Sequence, residues 1–161
     1  MSRPTDVPGG RVRTVLVADD DPDDRQLIRE AFAATRIPAD LRFVVDGEEL
    51  LEYLLRRGRY VEPVRAPAPD LLLLDLNMPR KDGREALREI KAAPALGCLR
   101  IVILTTSGAE EDVRVSYALS ATSYVTKPTS YRGLVQVVAA IARYWLEIVE
   151  LPPSLGGPDG V

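Results

Sequence analysis

Short apolar runs alternate with amphipathic stretches along most of this 161-residue chain. Four consecutive leucines occupy residues 71–74, and similar apolar runs occupy residues 15–18 and 101–104. A short apolar run bounded by turn-forming residues is typical of a strand that is buried on both faces. The stretches between the runs place apolar residues on one helical face, so the pattern predicts parallel strands joined by helices.

The alternation amounts to five βα units. The predicted strands are 15–18, 41–45, 71–74, 101–104 and 123–126, and the predicted helices are 22–35, 48–57, 84–92, 109–119 and 130–150. Three prolines interrupt residues 58–69, where we expect no regular element. The predicted fold is therefore α/β, with a mostly parallel, doubly wound sheet that carries helices on both faces.

The absence of histidine is the most restrictive feature of the composition. It excludes Ser-His and Cys-His catalysis, histidine-ligated zinc and phosphorylation of a histidine within this chain. Cys98 is the only cysteine, so no intrachain disulfide forms, which fits a reducing compartment. The net charge of −3 gives no indication of nucleic-acid binding.

Both ends of the chain are rich in proline and glycine and lack periodicity. We expect a flexible segment at residues 1–12, one domain at 13–151 and a disordered tail at 152–161. No stretch is long enough to cross a membrane and no signal peptide is indicated, so the expected location is cytoplasmic. Only about ten residues follow the last predicted helix, so we expect no effector domain there and output through protein contact.

Polar residues directly follow four of the predicted strands. Asp19 and Asp20 follow the first strand, Asp75 the third, Thr105 the fourth and Lys127 the fifth. Because ligands bind at the carboxyl ends of parallel strands, we expect these residues to converge. Clustered carboxylates require a cation, and oxygen-only ligands favour Mg²⁺ or Mn²⁺. A carboxylate nucleophile, a metal, a lysine and a hydroxyl are the groups needed to form an aspartyl phosphate.

Simpler interpretations of these residues remain open. An acidic helix N-terminus explains Asp23 and Asp24 equally well, because aspartate caps helices and complements their dipole. Capping alone is a weaker explanation for Asp19 and Asp20, which come directly after a buried strand. Asp75 taken alone is also compatible with a turn residue, so the indication depends on all these residues lying at one sheet edge.

Four motifs resemble the receiver domains of two-component response regulators, over about residues 13–150. They are VLVADDD at 15–21, LDLNMPRKDG at 74–83, ILTTS at 103–107 and SYVTKP at 123–128. The resemblance implies a flavodoxin-like five-stranded sheet of order 2-1-3-4-5. It also implies that Asp75 is the phosphoacceptor, and that Asp19, Asp20, Asp75 and the backbone carbonyl of Asn77 bind the metal.

The same resemblance implies how the site works. Thr105 and Lys127 would contact the phosphoryl group, Thr105 and Tyr124 would act as switch residues, and Lys127–Pro128 would be a cis peptide. A sensor histidine kinase would supply the phosphoryl group, and the chain would promote its own phosphorylation and dephosphorylation without being an enzyme. A purely structural core aromatic is the alternative interpretation of Tyr124.

Finer features resemble single-domain regulators that partner bacterial phytochromes and similar sensor kinases. They are DPDDR at 21–25, DGEELL at 46–51, the proline-containing insert before the third strand, LTTS at 104–107 and YWLE at 144–147. This likeness implies a bacteriophytochrome as the partner kinase. The downstream protein stays unidentified.

The last predicted helix carries an apolar surface that indicates an interface. One stripe comprises Leu134, Val138, Ile141, Trp145 and Ile148, and Val149 belongs to a second, offset stripe. About 21 residues give a helix of about 31 Å, long enough to extend beyond the sheet. We therefore expect a homodimer built on this region. The alternative is that Trp145 and Ile148 pack onto their own subunit.

Two other functions are compatible with part of the pattern. A haloacid-dehalogenase-type phosphatase also uses an aspartate, Mg²⁺, a threonine and a lysine, but it needs a second aspartate at the position of Asn77. A receiver-like scaffold that is never phosphorylated is the other alternative. The presence of every reactive position argues against the scaffold.

Overall fold

A single parallel sheet organises residues 12–152, which are the residues that the computed structural model describes. Its strands are β1 (Arg13–Ala18), β2 (Ala39–Val44), β3 (Leu71–Leu74), β4 (Arg100–Thr105) and β5 (Ser123–Thr126). They are ordered β2-β1-β3-β4-β5, and each neighbouring pair is parallel. The expected α/β class and strand order are confirmed. Apart from residues 12 and 152, the expected flexible ends lie outside the described residues.

Five α-helices connect and cover the strands. They are α1 (Pro22–Thr35), α2 (Gly47–Leu55), α3 (Gly83–Lys91), α4 (Glu110–Ala118) and α5 (Tyr131–Arg143). Short 3₁₀ turns occur at Gly58–Tyr60, Pro63–Arg65 and Pro94–Leu96. Two of these turns lie in the proline-containing segment 58–69, where the sequence predicts no regular element. A single 3₁₀ turn is too short to produce a periodic pattern of apolar residues, so the sequence did not indicate it.

The four leucines of β3 divide the core into two halves. Leu71 and Leu73 join the cluster formed with α1 and α5, and Leu72 and Leu74 join the cluster formed with α2 and α3. All four side chains are buried, as the alternation of a strand between two helical layers requires. The buried strand is thus a rigid support for the residue that follows it, Asp75.

Helix starts follow the sequence closely because capping side chains mark them. Asp21, Asp46 and Asp82 each accept hydrogen bonds from backbone N–H groups in the first turn of α1, α2 and α3. The end of α2 differs from the prediction of residue 57. Arg56 adopts a left-handed conformation with φ of 56°, which terminates the helix at Leu55.

The last helix departs most from its prediction as one helix over 130–150. It ends as an α-helix at Arg143 and continues as a π-helical turn over Tyr144–Ile148. The Val149 N–H donates to the Tyr144 carbonyl oxygen at 3.0 Å, and Val149 itself is extended. The wider turn holds an extra residue, so it rotates the following side chains away from the predicted stripe.

Candidate functional site

Four functional side chains predicted from the sequence converge at the carboxyl edge of the sheet. Asp19, Asp75, Thr105 and Lys127 follow or end β1, β3, β4 and β5, and all four are buried. Backbone hydrogen bonds extend the strand pairing into this edge, from the Asp75 N–H to the Ala18 carbonyl (3.0 Å) and from the Lys127 N–H to the Thr105 carbonyl (2.6 Å). The main chain therefore fixes where each side chain begins.

The Lys127 ammonium is the centre of the site. Its Nζ donates to Asp19 Oδ2 at 2.7 Å, Asp24 Oδ2 at 2.8 Å and Asp75 Oδ2 at 3.1 Å, and the side chain is only 4% exposed. The sequence interpretation leaves Asp24 as a simple helix-start residue in one of its alternatives, yet here it contacts the lysine. No motif or spacing in the sequence signalled this contact, because the two residues are 103 positions apart on different elements.

Burial and charge act in opposite directions on these groups. Burial raises the pKa of Asp19 to about 6, although the nearby Lys127 ammonium lowers it. Burial alone would lower the pKa of Lys127, but its carboxylate partners raise it overall above the ordinary value. The lysine thus stays charged at neutral pH, and the carboxylate cluster holds more negative charge than one ammonium neutralises.

The carboxylates also meet the requirements of a metal site. One oxygen each from Asp19, Asp20 and Asp75 lie within 4.8 Å of one another, with Asp20 exposed. An oxygen-only donor set open to solvent on one side fits Mg²⁺ or Mn²⁺, which retain several water ligands. The Asn77 N–H donates to Asp75 Oδ1 at 3.1 Å, while the metal contact of the Asn77 carbonyl stays a prediction.

Thr105 and Tyr124 lie where switch residues would act. The Thr105 hydroxyl, which is fully buried, donates to Asp75 Oδ1 at 2.8 Å. The Tyr124 hydroxyl donates to the Ser107 backbone carbonyl at 2.7 Å, two residues after Thr105. Tyr124 is partly buried and packs against the edge of the α2/α3 core, and its role as a switch residue stays a prediction.

A charged network that the sequence did not reveal adjoins Ser107 and Tyr124. Arg84 of α3 donates through two nitrogens to the two carboxylate oxygens of Asp112 of α4, both at 2.7 Å. The Ser107 hydroxyl donates to the same carboxylate at 2.6 Å. These hydrogen bonds, first from Arg84 and then from Ser107, lower the pKa of Asp112 to about 2. No motif or spacing signalled this pair, because the residues are 28 positions apart on different helices.

The described part of the chain contains no cis peptide bond, so the Lys127–Pro128 peptide is trans. The cis peptide implied by the family resemblance is therefore wrong for this structure. A trans X–Pro bond is favoured by about 0.5–1 kcal/mol. Lys127 reaches all three carboxylates from this geometry.

The predicted interface residues separate into two groups. Leu134, Val138 and Ile141 are buried in this chain's own core against α1, so their assignment to an interface is wrong. Trp145 packs at the border of the same core and Val149 is partly exposed, whereas Ile148 is 69% exposed. The helical periodicity of the stripe is real, but its first three turns face inward.

Known proteins resemble this chain in both sequence and fold. A family model of the response regulator receiver domain matches residues 15–139, and the chain therefore belongs to the response regulator receiver family. No helix within residues 12–152 is long and apolar enough to span a membrane.

Individual relatives extend this similarity over most of the chain. The response regulator Rcp1 of Synechocystis sp. is 39% identical over 142 residues, which cover 88% of this chain and 95% of Rcp1. The crystal structure of the phosphorylated cyanobacterial phytochrome response regulator RcpA is 40% identical, with a TM-score of 0.83 over 88% of this chain and 99% of RcpA. The Mn²⁺-bound form of Rcp1 is 39% identical, with a TM-score of 0.82 over 88% and 99% of the two chains.

Proposed function

We propose that this receiver domain accepts a phosphoryl group on Asp75 from the phosphohistidine of a partner kinase. The observation that carries the proposal is the position of the Asp75 carboxylate between Thr105 Oγ1 at 2.8 Å and Lys127 Nζ at 3.1 Å. A hydroxyl and an ammonium on either side of one carboxylate are suited to a group that becomes an acyl phosphate. Because these 161 residues contain no histidine, the phosphohistidine that donates the group must lie outside them.

The transfer is a displacement at phosphorus. A carboxylate oxygen of Asp75 forms the new O–P bond while the P–N bond to the donor imidazole breaks. The electron pair of that bond goes to the ring nitrogen, which takes up a proton from solvent. Lys127 and Thr105 hold the acceptor in place and donate hydrogen bonds to the added oxygens, which bring about −1.5 to −2 charges.

Asp19, Asp20 and Asp75 would hold the Mg²⁺ or Mn²⁺ ion, together with the carbonyl of Asn77. When bound, the ion neutralises carboxylate and phosphoryl charge during transfer. Two observations support this assignment. The fold matches that of Mn²⁺-bound Rcp1, and the candidate ligands of this chain are all oxygen atoms. The same groups would promote the later loss of the phosphoryl group to water.

Phosphorylation would change the shape of the edge that carries β4, α4 and β5. Thr105 donates to Asp75 in this structure, so a phosphoryl oxygen there draws the hydroxyl to a new partner. A shift of the 105–107 segment breaks the hydrogen bond between the Tyr124 hydroxyl and the Ser107 carbonyl, which frees the ring to move inward. Such a switch requires two conformations separated by only a few kcal/mol.

The partner kinase would be a phytochrome-type sensor, and the signal would pass through a homodimer to a downstream protein. Similarity to RcpA over nearly all of that protein supports the kinase class. Exposed Ile148 and Tyr144, in the π-helical turn beside half-buried Trp145, support a dimer contact around the end of α5. This surface is smaller than the predicted stripe because the rest of α5 is buried.

A small-molecule phosphodonor tests the acceptor role directly. With Mg²⁺ present, we expect the wild-type protein to gain the mass of one phosphoryl group, and Asp75→Asn to gain none. Chelation of the metal should abolish the gain. Fast and repeated hydrolysis of phosphate esters would instead indicate the phosphatase. A properly folded wild-type protein that gains no mass from phosphodonor or kinase would indicate the scaffold.

A further inference from the structure

Lys127 has one more carboxylate partner than the proposed phosphoryl transfer requires. An ammonium has three N–H donors, and here they reach Asp19, Asp24 and Asp75 at 2.7, 2.8 and 3.1 Å. Asp19 and Asp75 already have assigned roles at the metal and the acceptor. Asp24 has none, although its bond to the lysine is shorter than that of Asp75.

The position of Asp24 is fixed by the start of α1. The Asp21 side chain caps this helix by accepting from the Asp23 and Asp24 N–H groups, at 2.8 and 3.4 Å. The Asp24 side chain is 22% exposed and is not part of the carboxylate group that offers oxygens to a metal. Its carboxylate therefore remains available to Lys127 when the metal and the phosphoryl group occupy the other two.

We propose that Asp24 is a positioning residue that holds the Lys127 ammonium beside Asp75. We further propose that the Asp24 carboxylate competes with the phosphoryl group for electrostatic attraction to this ammonium. The proposal rests on the acceptor role assigned to Asp75 and adds a residue to that site. It predicts two separable effects. The hydrogen bond to Asp24 keeps Nζ in place, while the negative charge of Asp24 weakens the attraction of Nζ for a new anion.

Two substitutions separate these effects. Asp24→Asn keeps an oxygen that accepts from the ammonium and removes the charge. Asp24→Ala removes both. Asp23→Asn is the matched control, because it removes one charge from the same helical turn, and Asp23 is exposed and does not contact Lys127.

The measurement is the affinity for beryllofluoride, a mimic of the aspartyl phosphate, by titration calorimetry at a Mg²⁺ concentration that saturates each variant. We expect Asp24→Asn to bind beryllofluoride about three- to tenfold more tightly than wild type, since partial exposure screens the removed charge. Asp24→Ala should gain less than Asp24→Asn. Asp23→Asn should match the wild type.

The decay of the phosphorylated protein gives a second, independent measurement. In Asp24→Asn, Lys127 should attract the phosphoryl group more strongly and so slow the hydrolysis of the aspartyl phosphate. This variant should therefore stay phosphorylated several-fold longer than wild type and Asp23→Asn. A merely structural defect would weaken binding or shorten the lifetime, which is the opposite direction.

Three outcomes separate this inference from the acceptor role. If the wild type gains a phosphoryl group and Asp24→Asn binds beryllofluoride no more tightly than Asp23→Asn, the competition is absent and the inference fails alone. Equal gains in Asp24→Asn and Asp24→Ala would remove the positioning part. If the wild type itself neither gains a phosphoryl group nor binds beryllofluoride, the proposed function fails first.

Discussion

The loop that carries the acceptor leaves no room for a side chain at position 83. A methyl group placed on Gly83 would meet the Asp75 carbonyl oxygen at 2.4 Å and Leu76 Cα at 2.7 Å. Both atoms belong to the backbone, and the Gly83 N–H also donates to the Leu76 carbonyl at 2.9 Å. The start of α3 therefore packs directly against the backbone of Asp75 and Leu76. Gly83 permits this close contact because it has no side chain.

Gly83→Ala tests this support. We expect the free energy of unfolding to fall by about 1–3 kcal/mol, because the backbone under Asp75 must shift to admit the methyl group. Phosphorylation from a small donor should slow as well. Denaturant unfolding and the rate of mass gain are the measurements. Gly108→Ala is the control, because nothing lies within 4 Å of a methyl group there; equal losses in both variants would contradict the argument.

Between elements, an ion pair near the site joins α3 to α4. Arg84 and Asp112 form a bidentate ion pair, and both side chains are mostly shielded from solvent. Arg84 also reaches Asn77 Oδ1 at 3.5 Å, and Ser107 reaches Asp112 at 2.6 Å. The pair thus lies between the acceptor loop and the segment that follows Thr105.

Asp112→Asn should lower the free energy of unfolding by about 1 kcal/mol, after allowance for partial exposure. Because the pKa of Asp112 is lowered to about 2 from 3.8, the folded state favours the ionised carboxylate. Its contribution is fully present above pH 3.8 and is lost as the pH falls through about 2. The difference from wild type should therefore be constant between about pH 5 and 8 in denaturant titrations.

Glu111→Gln is the control for this ion pair. It removes a charge from the same first turn of α4, where Glu111 forms an exposed ion pair with Arg114. An exposed pair contributes little, so stability should not change measurably. A loss in Glu111→Gln equal to that in Asp112→Asn would show that general charge on α4, and not the pair with Arg84, is responsible.

At the scale of the whole molecule, the π-helical turn determines what α5 offers to a partner. The turn leaves Ile148 and Tyr144 exposed while Trp145 packs at the border of the core. The proposed dimer contact would therefore lie at the end of α5, since the middle of that helix is already buried in its own subunit.

If the proposed homodimer forms, Ile148→Glu should convert it to a monomer, because the substitution places a charge in the apolar centre of the proposed contact. Sedimentation at several micromolar concentrations measures the outcome. Val64→Glu is the control, since Val64 is even more exposed at 76% and lies in the segment between α2 and β3. A wild type that is monomeric throughout, or a dimer that survives Ile148→Glu, would reject the contact.

The sequence predicted most of the fold because its signals are local. The leucine run of β3 and the apolar faces of the helices place elements within a few residues, and the parallel topology then brings Asp19, Asp75, Thr105 and Lys127 together. The rest depends on side-chain reach across elements. The bond from Asp24 to Lys127 has no signature in spacing alone, and neither does the pairing of Arg84 with Asp112. The apolar stripe predicted along the last helix does not continue through the π-helical turn, because the prediction assumed a constant number of residues per turn.

The identity of the phosphoacceptor can be determined chemically by borohydride trapping. Borohydride reduces an aspartyl phosphate to homoserine, so a phosphorylated sample digested after reduction marks the modified residue by mass. We predict homoserine at position 75 only, dependent on Mg²⁺ and on the phosphodonor. Homoserine at position 19, 20 or 24, or a phosphorylated protein with an unmodified Asp75, would contradict the account.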